Sequence, residues 1–146
     1  MEATENVALN GWEVIDVEFE TDNEKIRDHN PPAGRAPIIT IYFDSGKYNA
    51  TLDNRSIAII KTLDVNKDYY IYGHTNSIPV VKNSEYASNY ELSIKRAKFT
   101  KNFISSITSI PYNKLKVVGF GALRPSYDNI NKGLPKNRRV EIYEGY

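Results

Sequence analysis

Apolar and polar residues alternate along Trp12–Glu20, with Ile15, Val17 and Phe19 on one face and Asp16, Glu18 and Glu20 on the other. A period of two predicts a half-buried strand. Thr21–Arg35 follows with Asp22-Asn23, Asn30-Pro31-Pro32 and Ala33-Gly34-Arg35, the punctuation of a loop. Pro37–Phe43 is β-branched and aromatic and reads as a buried strand, closed by Asp44-Ser45-Gly46. The pattern then changes period. Leu52, Ile59, Ile60 and Leu63 stand at helical spacing, with Thr51 or Asp53 as the cap. Tyr69–Tyr72 is a short strand feeding Gly73, and Thr75–Ala87 is a polar loop.

The next helix is the best marked. Ser88-Asn89-Tyr90-Glu91 has capping-box spacing. Leu92, Arg96, Phe99, Phe103 and Ile107 then step by three or four and share one face, until Pro111 stops the pattern. Lys114–Gly119 reads as a strand, residues 120–137 as a long Gly-, Pro- and Asn-rich loop, and Arg139–Tyr143 as a last strand with Val140 and Ile142 on one face. Helices alternating with strands imply crossovers and some parallel pairing. The expected fold is therefore α+β, a two-layer sandwich of a mixed β-sheet with two main helices packed on one face.

Composition narrows the class. The 146 residues suit one domain with a real core, and the hydrophobic share of 40% with 25% charged residues excludes wholesale disorder. There is no cysteine, which excludes disulfides, thiolate metal sites and cysteine nucleophiles. No apolar run is long enough to span a membrane, and no secretory leader follows Met1, so an anchor, if any, is expected outside this chain. The net charge of +1 hides a split: residues 1–30 carry −7 and the remainder +8. A basic body suggests an anionic partner, unless the acidic leader folds back over it.

Enzyme chemistry finds no support. His29 and His74 lie far apart, and the chain has no zinc-protease, nucleophile-elbow or phosphate-loop motif. No cofactor and no metal site is implied. Nucleic acid is the competing anion on charge alone, through Lys132, Lys136, Arg138 and Arg139 with Tyr86, Tyr90, Tyr112 and Tyr127 as stacking groups. No nucleic-acid motif accompanies them, so none is expected as a partner.

Arg96 is the residue that does not fit its helix. It sits on the apolar stripe, and a guanidinium cannot shed its charge, so a sheltered Arg96 requires an anionic or dipolar partner. An acidic neighbour such as Asp44 or Glu91 is one candidate; a ligand carboxylate is the other.

The residues around it form an ordered set. Gly73-His74-Thr75-Asn76 closes a strand; Leu92-Ser93 with Arg96-Ala97, Gly119-Phe120-Gly121 with Pro125, and Asn137-Arg138-Arg139-Val140-Glu141 follow in that order. Together they resemble the OmpA-like peptidoglycan-binding domain family over about residues 37–143, most nearly its flagellar stator B subunit branch. Tyr42-Phe43-Asp44-Ser45 resembles that family's first core strand and loop. The resemblance implies a β-α-β-α-β-β core at 37–146; the acidic leader with its one strand, read above from charge and alternation, occupies 1–36. It implies non-catalytic anchoring of an envelope protein to the wall, in the periplasm of a diderm bacterium. Residues matching the family's site are Thr75, Asn76, Arg96 and Asp44, with Asn137 and Arg138 or Arg139 lining it. In the family an aspartate grips the ammonium of the stem peptide's diaminopimelate and an arginine grips its carboxylate. Asn76 stands here in place of that aspartate. Exchanging a charged for a neutral hydrogen bond removes about 1–2 kcal/mol, roughly tenfold in affinity. The alternative implied is a protein–protein scaffold module in a motor or secretion machine, with other envelope subunits as partners.

Overall fold

The computed structural model describes residues 36–78, 80–123 and 135–145. The strand expected at Trp12–Glu20, the loop at Thr21–Arg35 and most of the loop after Phe120 lie outside the described residues. Within them, strand β1 (Ile39–Tyr42) leads to helix α1 (Asn54–Lys61), strand β2 (Tyr69–Gly73), helix α2 (Asn89–Ile107), strand β3 (Leu115–Gly119) and strand β4 (Arg139–Glu144). The sheet order is β1-β4-β2-β3. β2 and β3 run parallel, joined by the α2 crossover, whereas β4 is antiparallel to both β1 and β2. The sheet is mixed and the fold is α+β.

Both helices start on side-chain caps. Asp53 accepts the Ser56 N–H at 2.7 Å, which selects it over Thr51 as the cap of α1. Ser88 Oγ accepts the Glu91 N–H at 3.1 Å. Glu91 Oε1 reaches back to Ala87 N at 3.0 Å, so the reciprocal half of the capping box is displaced by one residue.

Alternation along the strands sorts side chains onto two faces. Ile39, Ile41, Tyr69, Ile71, Leu115, Val117, Val140 and Ile142 form the helix-covered core with Ile60 of α1 and Ala97 and Ile104 of α2. Tyr72, Val118, Phe120 and Tyr143 cluster on the other face.

The face α2 buries differs from the stripe expected. Ser93, Ala97, Thr100 and Ile104 are sheltered with Leu92 and Arg96, while Phe99, Phe103 and Ile107 are only partly buried at the flank. Close approach of backbones is the reason. A Cβ on Gly73 would collide with the Ser93 carbonyl, and one on Gly119 would lie 2.5 Å from Ile94 Cγ1. Small side chains let α2 rest against the ends of β2 and β3, and that contact fixes the position of Arg96.

Candidate functional site

Arg96 is 1% exposed, yet no carboxylate neutralises it among the described residues. Its Nε donates to the Lys47 carbonyl at 2.7 Å, and its terminal nitrogens donate to the carbonyls of His74 at 3.1 Å and Asp44 at 3.3 Å. The guanidinium carbon stands 5.4 Å from the centre of the Phe43 ring. Neither Asp44 nor Glu91 pairs with it through a side chain, so the internal ion pair open from sequence does not form. Three carbonyl dipoles orient the fork but leave a whole positive charge uncompensated. Burial, and then the charge of Arg138, pull the guanidinium down to about 10. It therefore remains cationic at neutral pH.

Arg96 lines a cleft of about 370 Å³. Thr75 and Asn76, just beyond the end of β2, share the lining, as does Arg138 immediately before β4. Thr75 is held by its N–H on the Gly121 carbonyl at 2.8 Å, and its hydroxyl donates to the Asn76 carbonyl at 2.9 Å. Asn76 Oδ1 accepts the Ile78 N–H at 3.3 Å. Arg138 is pinned through Nε to the Phe43 carbonyl at 2.8 Å, with the rest of its fork facing the same side as Arg96. The described lining holds two guanidiniums and no carboxylate.

Three of the sequence-derived candidates stand elsewhere. Asp44 is exposed and gives Arg96 only its main-chain carbonyl. Asn137 is fully buried beneath the short 3₁₀ turn Pro135–Asn137. Arg139 belongs to the opposite face of the sheet, where its Nε meets Glu141 at 2.9 Å. Of Arg138 and Arg139, Arg138 lines the cleft, because strand alternation turns its neighbour away.

The cleft also has walls the sequence did not single out. The loop after β2 supplies Ile78, Val80, Val81 and Asn83. Asn83 Oδ1 caps a turn by accepting from Glu85 N and Tyr86 N, and Tyr86 crosses to donate its hydroxyl to the Gly46 carbonyl at 3.0 Å. Asn89 Nδ2 ties the same loop to α2 through the Ile78 carbonyl at 3.1 Å. Tyr86 is thus a buried brace and not a free stacking surface. The signal for these residues was an Asn-rich loop of turn-forming type, which carries no periodicity.

Known proteins resemble this chain in sequence and in architecture. The OmpA family is matched over residues 42–139, from the last residue of β1 to the first of β4. The chain belongs to the OmpA family. Motility protein B of Bacillus subtilis (strain 168) is 36% identical over 113 residues, covering 70% of this chain and 41% of that protein. This OmpA-family chain spans about two fifths of the length of the curated relatives it matches. Among solved structures, the C-terminal domain of Helicobacter pylori MotB superposes with a TM-score of 0.60 at 25% identity, over 77% of this chain and 87% of that one. The cell wall anchor of the type VI secretion system (T6SS) from Pseudomonas aeruginosa shares the fold, with a TM-score of 0.56 at 24% identity over 70% and 76%.

Proposed function

We propose that this OmpA-family domain is a non-catalytic wall binder that anchors an envelope protein or complex to peptidoglycan. The observation that carries the reading is a buried, uncompensated Arg96 opening on a cleft it shares with Asn76 and Arg138. A sheltered cation held only by carbonyls favours an external carboxylate, and the diaminopimelate of a stem peptide supplies one. Likeness to motility protein B and the fold shared with a cell wall anchor agree with a position outside the cytoplasmic membrane, facing the wall. Other subunits of the envelope complex are its remaining partners.

Cosedimentation with purified sacculi tests this. Retention is expected for the wild type, with at least a tenfold loss for Arg96→Ala and an intermediate loss for Arg138→Ala, each with unchanged circular dichroism. Arg138→Ala guards against the case in which Arg96→Ala unfolds, since Arg138 is only half-buried. A wild type that sacculi do not retain overturns the wall reading. The exposed apolar lip of the cleft, with Val81 at 85% and Ile78 at 49% exposure, favours a second reading as a protein-docking module. In that case the binding partner is an envelope subunit.

A further inference from the structure

We infer that the cleft selects a carboxylate on an aliphatic stem and does not require the ammonium of a zwitterion. This names the ligand chemistry of the site above and rests on the wall-binding reading.

The groups facing the cleft form a set of donors. Arg96 and Arg138 contribute two guanidiniums, and neither has a carboxylate partner among the described residues. Asn76 adds a third donor. The Ile78 N–H can only face an acceptor, so it fixes Oδ1 toward itself and leaves Nδ2 as the group Asn76 presents to the cleft. Oδ1 keeps one lone pair and no charge for an ammonium, whereas Nδ2 is a donor that an anion can use. Thr75 and Tyr86 spend their hydroxyl protons on the carbonyls of Asn76 and Gly46. Asn89 Oδ1 is a neutral acceptor without a described partner, but it is shut off from solvent.

An ammonium placed here would stand beside two like charges with no carboxylate to offset them, which is repulsive. A carboxylate meets the opposite situation, because each hydrogen bond it accepts from a guanidinium is charge-assisted. The rest of the lining suits what carries the anion. Ile78, Val80 and Val81 form an apolar side that can cover a run of methylenes.

Pimelate and meso-diaminopimelate share a seven-carbon diacid skeleton and differ only in two amines, so they separate the two requirements. Isothermal titration of the full chain is expected to show pimelate binding at least tenfold more tightly than meso-diaminopimelate, weakening with added salt. Asn76→Asp is expected to reverse the order, because it restores a charge for the ammonium and repels the diacid. Wild type that binds meso-diaminopimelate as well as pimelate, or better, overturns the inference. So does sacculus retention that neither acid displaces. The wall reading is judged separately by that retention: sacculi held with meso-diaminopimelate preferred leaves anchoring intact and removes only the carboxylate selectivity. Pimelate preference without sacculus retention keeps the selectivity and moves the carboxylate to a protein partner.

Discussion

Glu141 lies on the sheet face opposite the helices, bonded to Arg139 Nε at 2.9 Å and 3.5 Å from His74 Nε2. Burial pushes its carboxyl up, but the hydrogen bonds and charges of His74 and Arg139 outweigh burial and hold it at about 2, below its ordinary 4.5. A folded value below the unfolded one means that folding favours the ionised form. That stability is fully present above pH 4.5 and is lost as pH falls through 2, with a ceiling of roughly 3 kcal/mol. Glu141→Gln is therefore expected to have a lower urea midpoint than wild type at pH 7, and the gap should close between pH 4.5 and 2. A gap that stays constant across that window would show the carboxylate to be unperturbed. The cluster also reaches the cleft. The main-chain N–H of His74 donates to the Arg139 carbonyl at 2.8 Å while its own carbonyl accepts from Arg96, so one residue supports both faces.

Helix α2 shows what pattern reading catches and what it misses. Its start and end were legible because a Ser88 cap and Pro111 act locally, through one hydrogen bond and one missing donor. The buried face was misjudged because hydrophobicity favours Phe99, Phe103 and Ile107, whereas the contact line with the sheet is set by Ser93, Ala97 and Thr100. Size decides where backbones nearly touch, and a hydrophobic period does not register size. The same limit applies to the site. Asn76 and Arg96 were readable from motifs, but the choice between Arg138 and Arg139 needed the register of β4. Tyr86 and Asn83 lie in a loop whose shape no period reports. Two substitutions check this account of α2. Gly73→Ala meets the unyielding Ser93 carbonyl and is expected to lose about 2–3 kcal/mol in urea unfolding. Ser88→Ala removes only the cap bond and is expected to lose about 1 kcal/mol. Equal losses would mean that the close approach is not what seats the helix.

The whole molecule is held together by its last strand. β4 pairs with both β1 and β2, so among the described residues this strand lies inside the sheet and β1 and β3 form its edges. Ile142 faces Ile39 on one side and Ile71 on the other, and all three belong to the helix-covered core. The β1–β4 pairing closes a span of about a hundred residues, a long loop whose entropy must be met before the contact forms. The middle of the sheet therefore cannot open without separating segments about a hundred residues apart. Amide hydrogen exchange should display this as a gradient. Tyr72 and Glu141, paired across the central β2–β4 ladder in the same hydrogen-bonded phase as the His74 N–H on the Arg139 carbonyl, are expected to exchange only through global unfolding, with protection equal to the urea-derived stability. Ile41 on edge strand β1 and Phe43 just after it, whose N–H groups face β4, should exchange through smaller openings and at least tenfold faster. Because Arg96 takes its carbonyls from the segment after β1 and from the end of β2, opening of β1 releases one wall of the cleft while the central pair stays closed. A ligand that bridges Arg96 and Arg138 should then slow exchange in β1 selectively, leaving β2 and β4 at their global limit. Uniform slowing across all four strands would instead mean that the sheet opens as one unit and that the cleft has no independent wall.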